Sequence, residues 1–525
     1  MTISVAQNGV LTPAPSKRRW ATLSVLCITL LLISLDNTVL NVALPSIAHS
    51  LNASSSQLQW MVDAYAVVFA GLLLSLGALG DRVGRKWVFM GGLAMFGGGS
   101  AFAAWSASPD VLTVARGTMG IGAAALMPCT LSILTNVFTT ERDRVRAIGI
   151  WSGTTGIGVA LGPILGGVLL SHFWWGSVFL VNVPIAAVGF VATIWLVPNS
   201  KNVRSARPDA LGAGLSMLGL GLLLWGIIEA PSRGWSSAAI VGSLVGSLVL
   251  IIAFITWERR IDHAMLPLRF FASRRYSVAI SALSLVLFAL LGMFFLMTQY
   301  LQFDLGYSPL EAGVHIIPVA AALLVVAPLS VWVARVVGTK YVVATGLVLV
   351  AIAFAMLSRT TVAGTYHDSF APLIMAGVGV ALALAPCTES VMGSLPKSQA
   401  GVGSATSDTA MQVGGAIGVG VLGTVLNLRY QHLMASAVAR AHVSVAVQKV
   451  IDGSLEGALA VARRAPSKLG IELATLARRS FVSGMDEALL IATAVVGVAA
   501  LVIMLSLPNR GIESSEGSDS SDDVE

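Results

Sequence analysis

The chain has 525 residues, 56% of them hydrophobic and only 11% charged, with 32 basic and 26 acidic side chains, a net charge of +6 and a mean hydropathy of +0.83. A soluble protein of this length would carry roughly 130 charges at about 25%, and a water-facing surface cannot be built without them. That excludes a soluble enzyme, a nucleic-acid binder and a disordered chain, and leaves room for about fourteen membrane crossings of about 20 apolar residues each.

Taken in chain order, Lys17, Arg18 and Arg19 precede an apolar run too long for a signal core, which reads as an uncleaved first span with its N-terminus in the cytoplasm. Apolar runs predict helices over 21–43, 59–79, 87–106, 111–136, 147–169, 177–197, 210–229, 237–257, 277–300, 312–334, 341–358, 370–393, 402–426 and 486–507. With an even number of spans both termini fall on one side, and the bases say which. The segments assigned to the cytoplasm hold 21 of the 32 bases, among them Arg82, Arg85, Lys86, Arg142, Arg144, Arg146, Arg274 and Arg275, whereas the short outer loops hold only Arg233 and Arg359. An outer segment, 429–485, carries eight bases; its spacing fits either amphipathic helices on the membrane face or a solvated cap.

A short echo links the halves. Leu126-Met127-Pro128-Cys129-Thr130-Leu131-Ser132 is matched by Leu384-Ala385-Pro386-Cys387-Thr388-Glu389-Ser390, each in the fourth span of a group of six. The expected fold is therefore an all-α membrane protein of fourteen transmembrane helices: a cytoplasmic segment 1–20, an N-terminal six-helix bundle over 21–197, two inserted helices within 198–276, a C-terminal six-helix bundle over 277–507, and an acidic, disordered cytoplasmic tail over 508–525. Cys27, Cys129 and Cys387 all lie in apolar runs, so a disulfide framework is not expected. The chain has no phosphate-binding loop, no catalytic triad and no metal-ligand spacing, and neither enzymatic activity, cofactor nor metal is expected.

Two motifs carry more information. After the second span the chain reads Gly77, then Asp81-Arg82, Gly84-Arg85-Lys86: glycines for close approach and a tight turn, and an acid followed by bases able to form interhelical ion pairs. The fifth span reads Gly149, Gly158, Gly162-Pro163 and Gly166-Gly167, small residues for close packing with a proline that removes a backbone hydrogen bond. The first motif resembles the signature loop of the major facilitator superfamily, where it acts as a latch steadying the outward-facing state; the second resembles the run that marks antiporters within it. Leu35-Asp36-Asn37-Thr38, Trp60-Met61-Val62-Asp63-Ala64-Tyr65, Trp174-Trp175-Gly176 through Asn182-Val183-Pro184, and Gln299-Tyr300-Leu301-Gln302 through Gly313 are similar to the fourteen-helix drug:proton antiporters, the QacA- and LfrA-type multidrug exporters. The resemblance runs from the first span to the last and weakens in 429–485 and the tail. It implies a proton-coupled exporter of amphipathic, mostly cationic drugs and dyes in the cytoplasmic membrane, with small-molecule substrates, protons and the lipid bilayer as its partners and no nucleic acid.

A charge inside the bilayer costs about 2.5–3.5 kcal/mol on the insertion scale, so each one needs a reason. Rise per residue places Asp36 roughly 13 Å, and Asp63 and Arg116 about 6–8 Å, below the outer ends of their spans. Asp36 is expected to be the main proton-coupling acid and Asp63 a second cation or proton site, with Arg116 the partner of both. In the C-terminal half, Glu389 and Asp408 are candidates near the cytoplasmic side. Gln412 stands where the resemblance places a second acid, and the family's acid between Pro318 and Pro328 is absent, which tells against the handling of divalent cations. His315 and Glu229 read as interface or solvated residues, and Trp60, Tyr65 and Trp151 as belt or packing aromatics able to stack a flat cation. An exporter of an endogenous metabolite or lipid, and a channel or sensor, remain as alternatives.

Overall fold

The computed structural model describes the chain outside residues 1–15, 202–207, 262–263, 265, 267, 363, 396–399, 442–443 and 508–525. The expected acidic tail, most of the segment before residue 20, and Arg204, Arg207, Lys397 and Arg510 therefore lie outside the described residues. The rest is helical: α1 Ser16–Leu51, α2 Ser55–Val83, α3 Arg85–Ala104, α4 Pro109–Val137, α5 Glu141–His172, α6 Ser177–Leu180, α7 Asn182–Leu196, α8 Ala210–Arg233, α9 Ala238–Glu258, α10 Arg274–Gln299, a π turn Tyr300–Asp304, α11 Pro309–Val337, α12 Thr339–Leu357, α13 Tyr366–Met392, α14 Ala400–Ala441, α15 Val445–Gly453, α16 Leu455–Arg464 and α17 Ser467–Ser506. Fourteen helices among the described residues are long and apolar enough to cross a membrane, α6 and α7 together forming one of them. A helix satisfies its own backbone groups, which lipid cannot do.

The two halves repeat each other in packing and in turn chemistry. In the first, α1 packs on α5, and α2 and α3 both pack on α4; in the second, α10 packs on α14, and α11 and α12 both pack on α13. Ser54 and Gln57 form a capping box at the start of α2, as Ser308 and Glu311 do at the start of α11. Gly84 (φ 129°) turns α2 into α3, and Gly338 (φ 107°) turns α11 into α12; both take a left-handed backbone that a side chain would strain. Of the inserted pair α8 and α9, α8 leans on α2 and α14 and carries α9 on its other side. Outward faces are apolar, with Trp195, Trp332, Val336 and Leu505 among the most exposed side chains, the reverse of a soluble surface.

Several helices outrun the apolar windows. α1 continues through Pro45 to Leu51, while α14 and α17 extend well past 426 and start well before 486. Segment 429–485 is accordingly mostly helix. Its short helices α15 and α16 bury Ile451, Leu455, Ala458 and Leu459 against the protein, so their apolar faces are spent on the fold and not on lipid. This cap belongs in sequence to the second half yet reaches the first: α16 packs on α1, and Glu456 comes within 4.0 Å of His49. The molecule thus has two distinct ends, one bearing the cap and the other bearing the 81–86 turn.

Candidate functional site

Deep in the first bundle, α1, α4 and α7 point polar side chains at one another. The Arg116 guanidinium of α4 donates from Nη1 to Asp36 Oδ2 of α1 at 2.5 Å and from Nε to the Met61 carbonyl at 3.0 Å. Asn182, at the first residue of α7, donates to the other Asp36 oxygen at 3.0 Å and lies 3.4 Å from Ser100 Oγ. The Tyr65 ring covers the guanidinium at 4.4 Å. Asp36 and Arg116 are 2% and 1% exposed, so this is a charged pair removed from water and satisfied from four helices. Longer helices also place it deeper than the apolar runs imply: about 22 Å from the end of α1 for Asp36 and about 10 Å from the start of α4 for Arg116.

Asp63 does not join it. Although Met61 supplies a carbonyl to Arg116, Asp63 lies on the face of α2 turned to α14 and α8, where its carboxylate sits beside Gly420. Gln59, one turn earlier on the same face, lies against Gly423. Both side chains are buried, and neither has a hydrogen-bond partner among the described residues. The expectation that Arg116 serves both acids is corrected here: the helical offset between residues 61 and 63 turns Asp63 away from it, to the meeting of the first bundle, the second bundle and the inserted pair.

The glycines of α5 make two seams. Gly158, Gly162 and Gly166 admit Ser34, Thr38 and Val39 of α1; a Cβ at Gly158 would lie 2.5 Å from that of Ser34, and one at Gly162 would overlap the Thr38 hydroxyl. On the neighbouring face Gly167 meets the backbone of Leu310, and the Pro163 carbonyl meets Gly313, both on α11. Toward the other end the seam opens, since a methyl group added at Gly149 or Gly153 would meet nothing within 4 Å. At the cap end Gln302 also donates to the Val42 carbonyl across the bundles at 2.9 Å. The bundles therefore close beneath the cap and part toward the 81–86 turn. Under the cap a cavity of about 470 Å³ remains, bordered by His49, Phe173, Trp174, Tyr307, Glu456 and Arg463.

At the open end Arg85 donates to Asp81 at 2.7 Å and to the Ser132 carbonyl of α4 at 3.0 Å, while Lys86 reaches the Ile194 carbonyl of α7 at 2.6 Å. Gly77 packs on Pro128, and a Cβ on Gly84 would strike the Asn199 side chain. Arg82 is exposed. These contacts of the turn all stay within the first bundle and the segment that leaves it after α7.

The model of the Major Facilitator Superfamily matches residues 26–419. The chain belongs to the major facilitator superfamily. It is 35% identical over 93% of its length to the multidrug efflux pump LfrA of Mycolicibacterium smegmatis, covering 96% of that protein, and 31% identical over 93% to the tetracenomycin C resistance and export protein of Streptomyces glaucescens, covering 92% of it. Its fold matches the crystal structure of a bacterial homolog to the human lysosomal transporter Spinster, with a TM-score of 0.69 at 17% identity over 94% of this chain and 98% of that one. This major facilitator protein is an integral, multi-pass membrane transporter and not an enzyme.

Within that superfamily fold the two C-terminal candidates lie apart from the buried pair. Glu389 of α13 pairs with Arg335 of α11 at 3.3 Å, and Asp408 on α14 is half-buried and enters no ion pair among the described residues. His315 stacks on Tyr307 with ring centroids 4.5 Å apart and meets Tyr366 at a tilt, 3.9 Å between centroids. Among the described residues no three His, Cys, Asp or Glu side chains gather as metal ligands would. Sequence reasoning misses Asn182 and Gln59 as site residues. Asn182 falls inside a stretch similar to the drug:proton antiporters, and Gln59 stands one helical turn before Asp63; those are the available signals. It also misses Asp304 and Asp486, which fall at or beyond the ends of apolar runs.

Proposed function

We propose that this transporter is a proton-driven antiporter exporting amphipathic, mostly cationic drugs and dyes by alternating access between its two bundles. The observation that carries the reading is the Asp36–Arg116 pair, held by Asn182 in the interior of a chain that matches a multidrug efflux pump almost end to end. With Asp36 ionised, Arg116 neutralises it. A proton on Asp36 removes the attraction, releases Arg116 and changes the packing of α1 against α4, so proton and substrate can favour opposite states of one element. Asp63, at the α2–α14 contact, is placed to feel the same rocking motion. The excess of bases around the 81–86 turn supports a cytoplasmic-membrane protein with both termini and that turn inside and the cap outside. In that orientation the structure is open to the cytoplasm, and the 81–86 turn waits to act as a latch in the opposite state.

The test is ethidium transport into inverted vesicles with and without an imposed proton gradient. Uptake that collapses with the gradient supports the reading; uptake indifferent to it removes proton coupling. A second reading, export of an endogenous metabolite, draws support from the name of the tetracenomycin relative. It would be favoured by a gradient-dependent carrier that ignores a panel of cationic dyes.

A further inference from the structure

We infer that Asp304 is a second proton-binding carboxylate, seated in the C-terminal bundle with Arg478 of α17 as its alternative ion-pair partner. The inference deepens the proposed proton-driven exchange and rests on it for its role in transport, though not for the binding of the proton itself.

The helix α10 does not stop where its apolar run ends. It widens into the π turn Tyr300–Asp304, in which the Leu305 N–H bonds the Tyr300 carbonyl at 3.1 Å and the Tyr307 N–H the Leu301 carbonyl at 3.0 Å. A π turn inserts a residue and re-aims the side chains after it, and such turns are found mostly where function requires the new direction. Here the turn points Asp304 inward. The residue is 6% exposed, and neither carboxylate oxygen has a hydrogen-bond partner among the described residues.

Among the described residues a cation acts on it. Arg478 acts electrostatically on Asp304 without closing a hydrogen-bonded pair, and its buried Nε donates to nothing among the described residues. Tyr300, whose hydroxyl donates to the Thr361 carbonyl at 3.1 Å, lies in the field of Asp304, of Asp368 on α13 and of Asp486 on α17. Asp486 also has a buried oxygen without a partner. Of the titratable groups on α11, Glu311 is held by the Ser308 cap and His315 sits against Tyr307 and Tyr366. A carboxylate so enclosed is costly to keep ionised without a partner. It is neutral with a proton, or it is paired once α17 brings Arg478 onto it. These two arrangements differ by one proton and by a helix position, as the closed and opened forms of Asp36–Arg116 do in the first bundle.

The test is infrared difference spectroscopy of the purified full chain in lipid nanodiscs during a pH titration, joined to proton counting in vesicles. Asp304→Asn should delete one protonated-carboxyl band and leave that of Asp36, while Arg478→Gln should move the titration of the Asp304 band to higher pH and Arg478→Lys restore it. Asp304→Glu, should the amide variant not fold, should shift the frequency of the same band. In vesicles, Asp304→Asn should lower the number of protons exchanged per ethidium by one with ethidium still driven by the gradient. Spectra unchanged in the Asp304 variants, or a band indifferent to Arg478→Gln, would overturn the assignment. A band that behaves as expected in a protein whose ethidium flux ignores the gradient would leave the proton site standing and remove the exporter reading instead.

Discussion

The two bundles share a packing plan but treat buried charge in opposite ways. In the first, an acid and a base are closed on each other and braced by Asn182, the Met61 carbonyl and the Tyr65 ring. In the second, the equivalent interior is filled by Phe288, Met293, Phe294, Phe295 and Met297, and Asp304, buried just beyond the end of α10, has no contact ion pair among the described residues. The repeat Leu126–Ser132 and Leu384–Ser390 shows that helix packing alone does not demand this asymmetry. On the proposed reading the difference is one of work: a closed, fully satisfied pair holds until a proton opens it, whereas an apolar interior supplies surface against which apolar cargo and neighbouring helices can slide. On that reading the first half closes its buried charges on each other, whereas the second keeps Asp304 unpaired beside an apolar interior, so a proton would act differently in each half of one pseudo-symmetric frame.

The sharpest way to break this comparison is to remove one member of the closed pair. Asp36→Asn strands Arg116 in the membrane interior; loss of one partner from a buried pair costs about 3–5 kcal/mol. Thermal unfolding in detergent should fall accordingly, and gradient-driven ethidium transport should drop to background. The double variant Asp36→Asn/Arg116→Gln should recover most of the stability and none of the coupling. Restored coupling in the double variant would show that the pair is structural only.

Next in size is the α5 seam. Gly162→Ala places a methyl group on the Thr38 hydroxyl and should cost about 1–3 kcal/mol with a matching loss of transport, as overpacking does. Gly149→Ala, in open space on the same helix, should be neutral or stabilising by up to about 1 kcal/mol from helix propensity. Equal damage at both positions in a thermal-shift series would mean that the glycines act through the flexibility of α5 and not through its contacts.

These cases show what a linear reading can reach. Span number and the pairing of halves are legible because bilayer thickness imposes a length on apolar runs, and the glycine spacing of α5 is legible because close packing imposes a period. The ends are not. A hydropathy window closes at its first cluster of polar residues, while a helix continues as long as its hydrogen bonds and tertiary partners allow; hence α1 passes Pro45, α17 begins at Ser467, and Asp304 and Asp486 move from loop or rim into the protein. Side-chain direction is also hidden. Asp36 and Asp63 look alike as intramembrane acids, and the fold turns the first to Arg116 and the second to Gly420.

That difference in direction can itself be tested. Asp63→Asn removes a carboxylate that has no partner among the described residues, so unfolding temperature should hold or rise, in contrast to the fall expected for Asp36→Asn. Transport should be weakened and not abolished. A drop in stability as large as that of the Asp36 variant would place Asp63 in the Arg116 network after all.

The smallest expected effect lies in the cap, the piece of the second half that leans on the first. Tyr430 of α14 donates from its hydroxyl toward the Ile451 and Ser454 carbonyls at 3.0 and 3.2 Å, tying down the end of α15. Asp452 sits between those two residues with one buried oxygen lacking a partner, and burial raises its pKa above the ordinary carboxylate value, opposed by a hydrogen bond from Gln448. The folded cap then binds more protons than the unfolded cap between the ordinary value and the raised one, so its stability is complete below that window and declines as pH rises through it. Because Asp452 is only partly buried, water screens much of the effect. Hydrogen exchange of α15 and α16 should be slower on the acidic side of the window after correction for intrinsic rates, and Asp452→Asn should flatten the dependence. Exchange that slows as pH rises through that window would mean that Asp452 is held as an anion by a cation of the first bundle, and the cap would then be a charge clasp between the halves instead of an apolar one.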